Sequence, residues 1–141
     1  MTYKPVRYRL YPNDAQRDML MRHFGSTRWV YNRYISQADR LYFELGQYIK
    51  RDEFIVDLAR LKKTEFPWLS EVSSQSLQMA ARNAATAYDR FFKGLAKHPK
   101  FKSKHSKQSF QCPQHVRVLF SECQAQDKSA PLTQRESTPL N

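Results

Sequence analysis

Six lysines, Lys93, Lys97, Lys100, Lys102, Lys104 and Lys107, fall within fifteen residues. They are spaced so that an extended segment can follow a phosphate backbone, releasing counterions at each contact. Such gripping is salt-sensitive and carries little sequence information. From Arg90 to Lys107 seven residues are basic and none is acidic, and Pro99 and Phe101 interrupt any regular helix there. Phe101 can stack on an unpaired base or anchor the segment on the core. Charge alone leaves a solubilising loop as the competing reading. A second cationic face is expected where Arg7, Arg9 and Tyr11 alternate with Val6, Tyr8 and Leu10, the period of a strand. Arg28 and Arg33 are expected to project from one helix, and Arg82 and Lys93 from another. Guanidinium groups suit phosphates and base edges.

Bond-breaking chemistry lacks such a concentration. A metal-dependent nuclease needs converging carboxylates, whereas Asp14, Asp18, Asp39, Glu44, Asp52, Glu53, Asp57, Glu65, Glu71 and Asp89 are scattered along helical stretches. Asp52, Glu53 and Asp57 cluster at one helix start, where negative charge complements the dipole. Cys112 and His115 have the gap of a zinc knuckle, and His23, His98 and His105 complete no second pair, so no metal and no cofactor is expected. Gly25, Gly46 and Gly94 each stand at an expected helix end, which leaves no phosphate-binding glycine loop.

The elements that must hold these residues follow from periodicity. A strand over Val6–Tyr11 ends at Pro12, and Asn13 with Gln16 forms the start of a helix carrying Met19, Leu20 and Phe24. Gly25 is expected to close it, with Thr27 capping a second helix through Tyr31, Tyr34, Ala38 and Leu41 to Gly46. Residues 13–46 thus read as a helix-turn-helix-like pair. A third helix runs from about Asp52 through Leu61, and a fourth from Ser73 or Ser74 to Gly94. Ser109–Cys112 and His115–Phe120 read as short strands, and from Ser121 a polar stretch lacks the means to bury surface and is expected to be disordered. The fold class is mainly α.

The composition agrees: 141 residues suit one domain or a small domain with a tail, and 24 Lys+Arg against 13 Asp+Glu leave a net charge of +11, favouring a polyanionic partner. Cys112 and Cys123 form no disulfide framework, and no leader or membrane-spanning run is visible, so a cytoplasmic protein without a membrane partner is expected.

Several motifs then recur in a fixed order: YRLYPN at Tyr8–Asn13, FG at Phe24–Gly25, Arg28, VYN at Val30–Asn32, FPWLSEV at Phe66–Val72, FF at Phe91–Phe92, PKFKSK at Pro99–Lys104 and SF at Ser109–Phe110. Their order resembles the opening of the TnpB/OrfB family of insertion sequences, to about Val118. The resemblance implies RNA-guided DNA endonuclease relatives whose front portion is a helical recognition lobe inserted into a β-barrel wedge. It also implies that their RuvC-like nuclease and zinc ribbon follow later and are absent here. The corresponding division is residues 1–12 as a first wedge strand, 13–96 as a four-helix recognition lobe, 97–120 as basic loop and wedge strands, and 121–141 as a disordered tail. The wedge barrel is expected to be incomplete.

By the same resemblance Tyr48 and Gln78 approach the short DNA motif flanking the target, Gln111 lies beside it, and Ser74 and Gln75 flank it loosely. With Arg7, Arg9, Tyr11, Arg28, Arg82, the six lysines and Phe101, these form the expected nucleic-acid-binding set. The partners are DNA and structured guide RNA, without cleavage by this segment. The alternatives are a small module competing with a full-length relative, an enzyme component completed by a separately encoded nuclease half, and a nonfunctional truncated product.

Overall fold

Asn13 and Gln16 open the first helix by exchanging two hydrogen bonds. The Gln16 backbone amide donates to Asn13 Oδ1 at 2.8 Å, and the Asn13 amide donates to Gln16 Oε1 at 3.0 Å. This reciprocal cap satisfies two amides that a helix start leaves without intrahelical partners, and Asp14 adds a favourable charge to the same turn. The computed structural model describes residues 3–114, 116–118 and 135–136. Met21–Pro113 form one compact unit, and the described parts of Met1–Leu20 and Gln114–Asn141 form another.

Helix α1 runs without a break over Asp14–Leu45. The expected link at Gly25 does not form: half-buried His23 and Phe24 before it lead at helical steps into buried Thr27, Val30, Tyr34 and Ala38 after it. Thr27 caps nothing; its hydroxyl donates back to the carbonyls of His23 at 2.8 Å and Phe24 at 3.1 Å, as a threonine within a helix does. The break comes instead at Gly46, whose φ of 64° is in the left-handed region.

Helix α2 (Arg51–Lys63) carries Asp52 and Glu53 in its first turn and Arg60, Lys62 and Lys63 in its last, matching the dipole at both ends. It buries Phe54, Leu58 and Leu61. Pro67 then starts a single 3-10 segment, Pro67–Glu71, that buries Leu69 completely. Helix α3 (Ser74–Phe92) ends in a Schellman turn, with the Leu95 amide bonded to the Arg90 carbonyl at 2.9 Å, the Gly94 amide to Phe91 at 3.1 Å, and Gly94 at φ 72°. The shared core joins Val30, Tyr34, Ile35 and Ala38 of α1 with Phe54 and Leu58 of α2, Leu69, and Leu77, Ala81, Ala84 and Tyr88 of α3. Each large apolar side chain buried there contributes about 1.5–3 kcal/mol.

The expected four-helix lobe with wedge strands is not what forms. Among the described residues there are three α-helices, because the first two expected ones are a single rod. Residues 3–13 are irregular and belong to no sheet among the described residues, and Val6 and Tyr8 stand 66 % and 57 % exposed. The alternation is that of a strand, but among the described residues no strand pairs with it. Ser109–Cys112 is irregular; its Phe110 side chain packs against α1 rather than entering a ladder. The described β structure amounts to a two-residue antiparallel pairing of Arg117–Val118 with Arg135–Glu136, which is no barrel. Arg135 and Glu136 were expected in the disordered tail and are paired instead. His115, Leu119, Phe120 and the remainder of the expected strand and tail lie outside the described residues.

Candidate nucleic-acid interface

The basic segment after α3 is irregular yet held in place by side chains of the helices. Asn32 on α1 makes two bonds to one backbone unit: its Nδ2 donates to the Lys102 carbonyl at 2.8 Å, and its Oδ1 accepts from the Lys102 amide at 2.7 Å. Arg28 Nη1, one turn earlier, donates to Gln108 Oε1 at 3.2 Å, and Asn83 Nδ2 on α3 donates to Gln111 Oε1 at 3.2 Å. Gln108 in turn donates to the Lys104 carbonyl at 2.7 Å, and the Ser106 hydroxyl to the Ser103 carbonyl at 2.7 Å. Phe110 sits with its ring 5.0 Å from His23 and 5.3 Å from Phe24, a tilted packing that fixes the far end.

The near end is held by Asp39, Tyr88 and His98. His98 Nε2 lies 2.7 Å from Asp39 Oδ1, and the Tyr88 hydroxyl donates to the same oxygen. Both His98 and Asp39 side chains are about one-third exposed, so the pair is neither buried nor fully solvated. Pro99, next along, is buried. The lysine segment is therefore a loop with fixed ends and a fixed middle, not a free arm.

Some of the cations are already paired. Arg22 pairs with Glu71, Arg40 with Glu44, Lys50 with Glu53, Arg51 with Asp52, Arg60 with Asp57 and Lys93 with Asp89. Among the described residues Arg28, Arg82, Lys97, Lys100, Lys102, Lys104 and Lys107 have no carboxylate within ion-pairing distance. The Lys102 ammonium lies 4.2 Å from the centre of the Tyr31 ring, a cation–π contact. Burial pushes the Tyr31 phenol above its usual range, so the ring under Lys102 stays neutral.

The expected site residues fall into separate places. Arg28, Lys102, Lys107 and Gln111 line one cavity in the Met21–Pro113 unit. Lys97, Lys100, Phe101 and Lys104 are exposed along the same segment, with Phe101 60 % exposed. Of the two roles weighed for Phe101, anchoring belongs to Phe110. Gln75, Gln78 and Arg82 recur at helical spacing on α3, while Ser74 is exposed at its first residue. Lys93 is engaged with Asp89 at 3.0 Å. Tyr48 joins an aromatic cluster, its ring 5.7 Å from Tyr42 and 5.1 Å from Phe92. Arg7, Arg9 and Tyr11 belong to the other unit, where the Arg9 guanidinium lies 5.7 Å from the Tyr11 ring. Arg33, expected to project, instead lies against the Trp29 and Phe66 rings at 5.2 and 5.5 Å. Asn32, Asn83 and Gln108 escaped sequence reading because an amide whose partner is tens of residues away leaves no local pattern.

Among the described residues no three His, Cys, Asp or Glu side chains gather as they would around a metal ion. No helix among them is long and apolar enough to cross a membrane.

Residues 1–47 match the family model of a helix-turn-helix domain, that of the OrfB proteins of IS605-type insertion sequences. Among the described residues of that span the structure has an irregular stretch followed by the single helix α1, without the turn that a helix-turn-helix would have. A Streptomyces pristinaespiralis protein named as an RNA-guided DNA endonuclease is 35 % identical over 97 % of this chain and 35 % of its own length. The Escherichia coli K12 protein InsQ, of the same naming, is 29 % identical over 79 % of this chain and 28 % of its own. The virulence protein VsdF of Salmonella dublin is 30 % identical over 70 % of this chain and 91 % of its own length. The chain belongs to the TnpB/OrfB family and carries that family's transposase-related amino-terminal segment. It spans about a third of the length of the two endonuclease-named relatives.

Proposed function

We propose that this segment grips nucleic acid, DNA and a structured guide RNA, for a mobile-element protein acting in the cytoplasm, and does no cutting itself. The observation that carries this is the division of charge. Arg51 and Arg60 on α2 and Arg40 near the end of α1 are paired with carboxylates, while Arg28 and, from Lys97 onward, the lysines of the pinned segment have none within ion-pairing distance among the described residues. Unpaired, closely set positive charge is what a phosphate backbone attracts, and it is costly to assemble without such a partner. Arg7, Arg9 and Tyr11, and Gln75, Gln78, Arg82 and Tyr48, are assigned to the same task on their own surfaces. Asp52, Glu53 and Asp57 are engaged with Arg51, Lys50 and Arg60, which supports the reading of these carboxylates as surface charges rather than metal ligands.

The test is fluorescence anisotropy with labelled single-stranded DNA, duplex DNA and structured RNA at several salt concentrations. Binding should weaken linearly on logarithmic axes, by about 0.7–0.9 in slope per phosphate contacted. Salt-independent binding, no binding at low salt, or cleavage on adding magnesium would each contradict the proposal. A second reading, a small module that competes with a full-length relative for one nucleic acid, is favoured by the match to VsdF over 91 % of that protein's length.

A further inference from the structure

The cavity between α1, α3 and the basic segment is lined by cations, hydroxyls, amides and aromatic rings. Its volume is about 100 Å³, and Arg28, Lys102 and Lys107 line it together with Ser103, Ser109 and Asn83. Among the described residues no Asp or Glu lines it. The three cations have no carboxylate partner, and the Ser103 and Ser109 hydroxyls make no hydrogen bond among the described residues. Such a space holds several waters or one tetrahedral oxyanion.

The walls are also unusually well fixed for a loop site. Arg28 is oriented by Gln108, Lys102 by the paired bonds from Asn32 and by the Tyr31 ring, and Gln111 by Asn83. A flexible lysine arm meets phosphates anywhere along a strand. A walled space with a planar guanidinium and two hydroxyls selects one tetrahedral group and holds it at one place.

We propose that this cavity is a seat for a single phosphate, the internal phosphodiester of a bound strand. It fixes the register of the nucleic acid on the protein, whereas Lys97, Lys100 and Lys104 supply diffuse attraction. This rests on the nucleic-acid reading above and adds a built anion site to it. The Arg28 guanidinium donates to the two non-bridging phosphate oxygens, the Ser103 and Ser109 hydroxyls donate to the remaining lone pairs of the same two atoms, and Lys102 and Lys107 balance the charge.

The test uses the whole chain and inorganic phosphate alone, followed by nuclear magnetic resonance of the Arg28 side chain and of the Ser103 and Ser109 amides. Saturable shifts confined to these positions are expected. Gln108→Glu keeps an acceptor for Arg28, gives up the donor to the Lys104 carbonyl and adds a carboxylate beside the guanidinium, so it should keep the α1–α3 core and lower phosphate affinity at least about tenfold. Arg28→Lys should lose most of the binding as well, because a point charge does not reproduce the fork. Lys100→Ala should leave phosphate binding unchanged while weakening oligonucleotide binding. A 5′-phosphorylated oligonucleotide should bind no better than its unphosphorylated form; a clear gain would assign the seat to chain ends and overturn the internal placement. Unsaturable shifts, or wild-type phosphate affinity in Gln108→Glu, would overturn the seat while salt-dependent oligonucleotide binding still upheld the broader reading. Loss of oligonucleotide binding by the unaltered protein would sink both.

Discussion

The side-chain amide of Asn32 meets the backbone of Lys102 twice, at 2.8 and 2.7 Å, which is the exchange a neighbouring strand would make. One asparagine thereby does for the basic segment what a sheet would do for a strand. Asn32→Ala removes both bonds without altering net charge. At about 0.5–1.5 kcal/mol for each bond, the Lys102 amide should exchange its hydrogen about tenfold faster or more. Oligonucleotide affinity should fall although every cation is retained. Unchanged exchange at Lys102 would mean that the segment is held by other contacts. At this scale the sequence was half legible. The lysines and Phe101 announce themselves by type and spacing, but Asn32 and Lys102 are linked only by the fold.

The helices show where local signals decide and where they are overruled. Asn13 with Gln16 is a reciprocal cap in the sequence and in the structure, because all its atoms lie within one turn. Gly25 and Gly46 carry the same conformational freedom, yet of the two only Gly46 has positive φ, since half-buried His23 and Phe24 and buried Ser26 and Thr27 flank Gly25 while the buried positions of α1 end at Ala38, before Gly46. A methyl added at Gly25 meets only Arg28 Nη2, at 3.9 Å, an ordinary contact. Gly25→Ala should therefore stabilise the protein by about 0.5–1 kcal/mol, raising Tm by a few degrees. Gly46→Ala finds open space but forces a side chain into the left-handed region, and should cost about 1–2 kcal/mol. Thermal unfolding of the two variants reads both signs, and a destabilised Gly25→Ala would mean that α1 is bent there in solution. The expected strand at Val6–Tyr11 has the right alternation but no partner sheet among the described residues, and alternation by itself cannot supply one.

Across the whole molecule a net charge of +11 says only that a polyanion will be attracted. What distinguishes a binding surface from general attraction is which positive charges are already spoken for. Arg60 donates twice to Asp57, at 2.6 and 3.0 Å, and Lys50 and Arg51 stand beside Glu53 and Asp52. Lys100 and Lys102 have no such neighbour among the described residues. Lys100→Glu with Lys102→Glu, and Lys50→Glu with Arg60→Glu, change the net charge by the same four units. If attraction were a property of total charge, both double variants would weaken oligonucleotide binding alike. If it resides in the pinned segment, the Lys100 and Lys102 pair should reduce affinity by at least about tenfold and flatten the salt dependence by about 0.7–0.9 for each lost phosphate contact. The Lys50 and Arg60 pair should change either quantity only slightly, because those charges sit among carboxylates on α2. Equal losses from the two double variants would remove the pinned segment from its special place and return the binding to the molecule's charge at large.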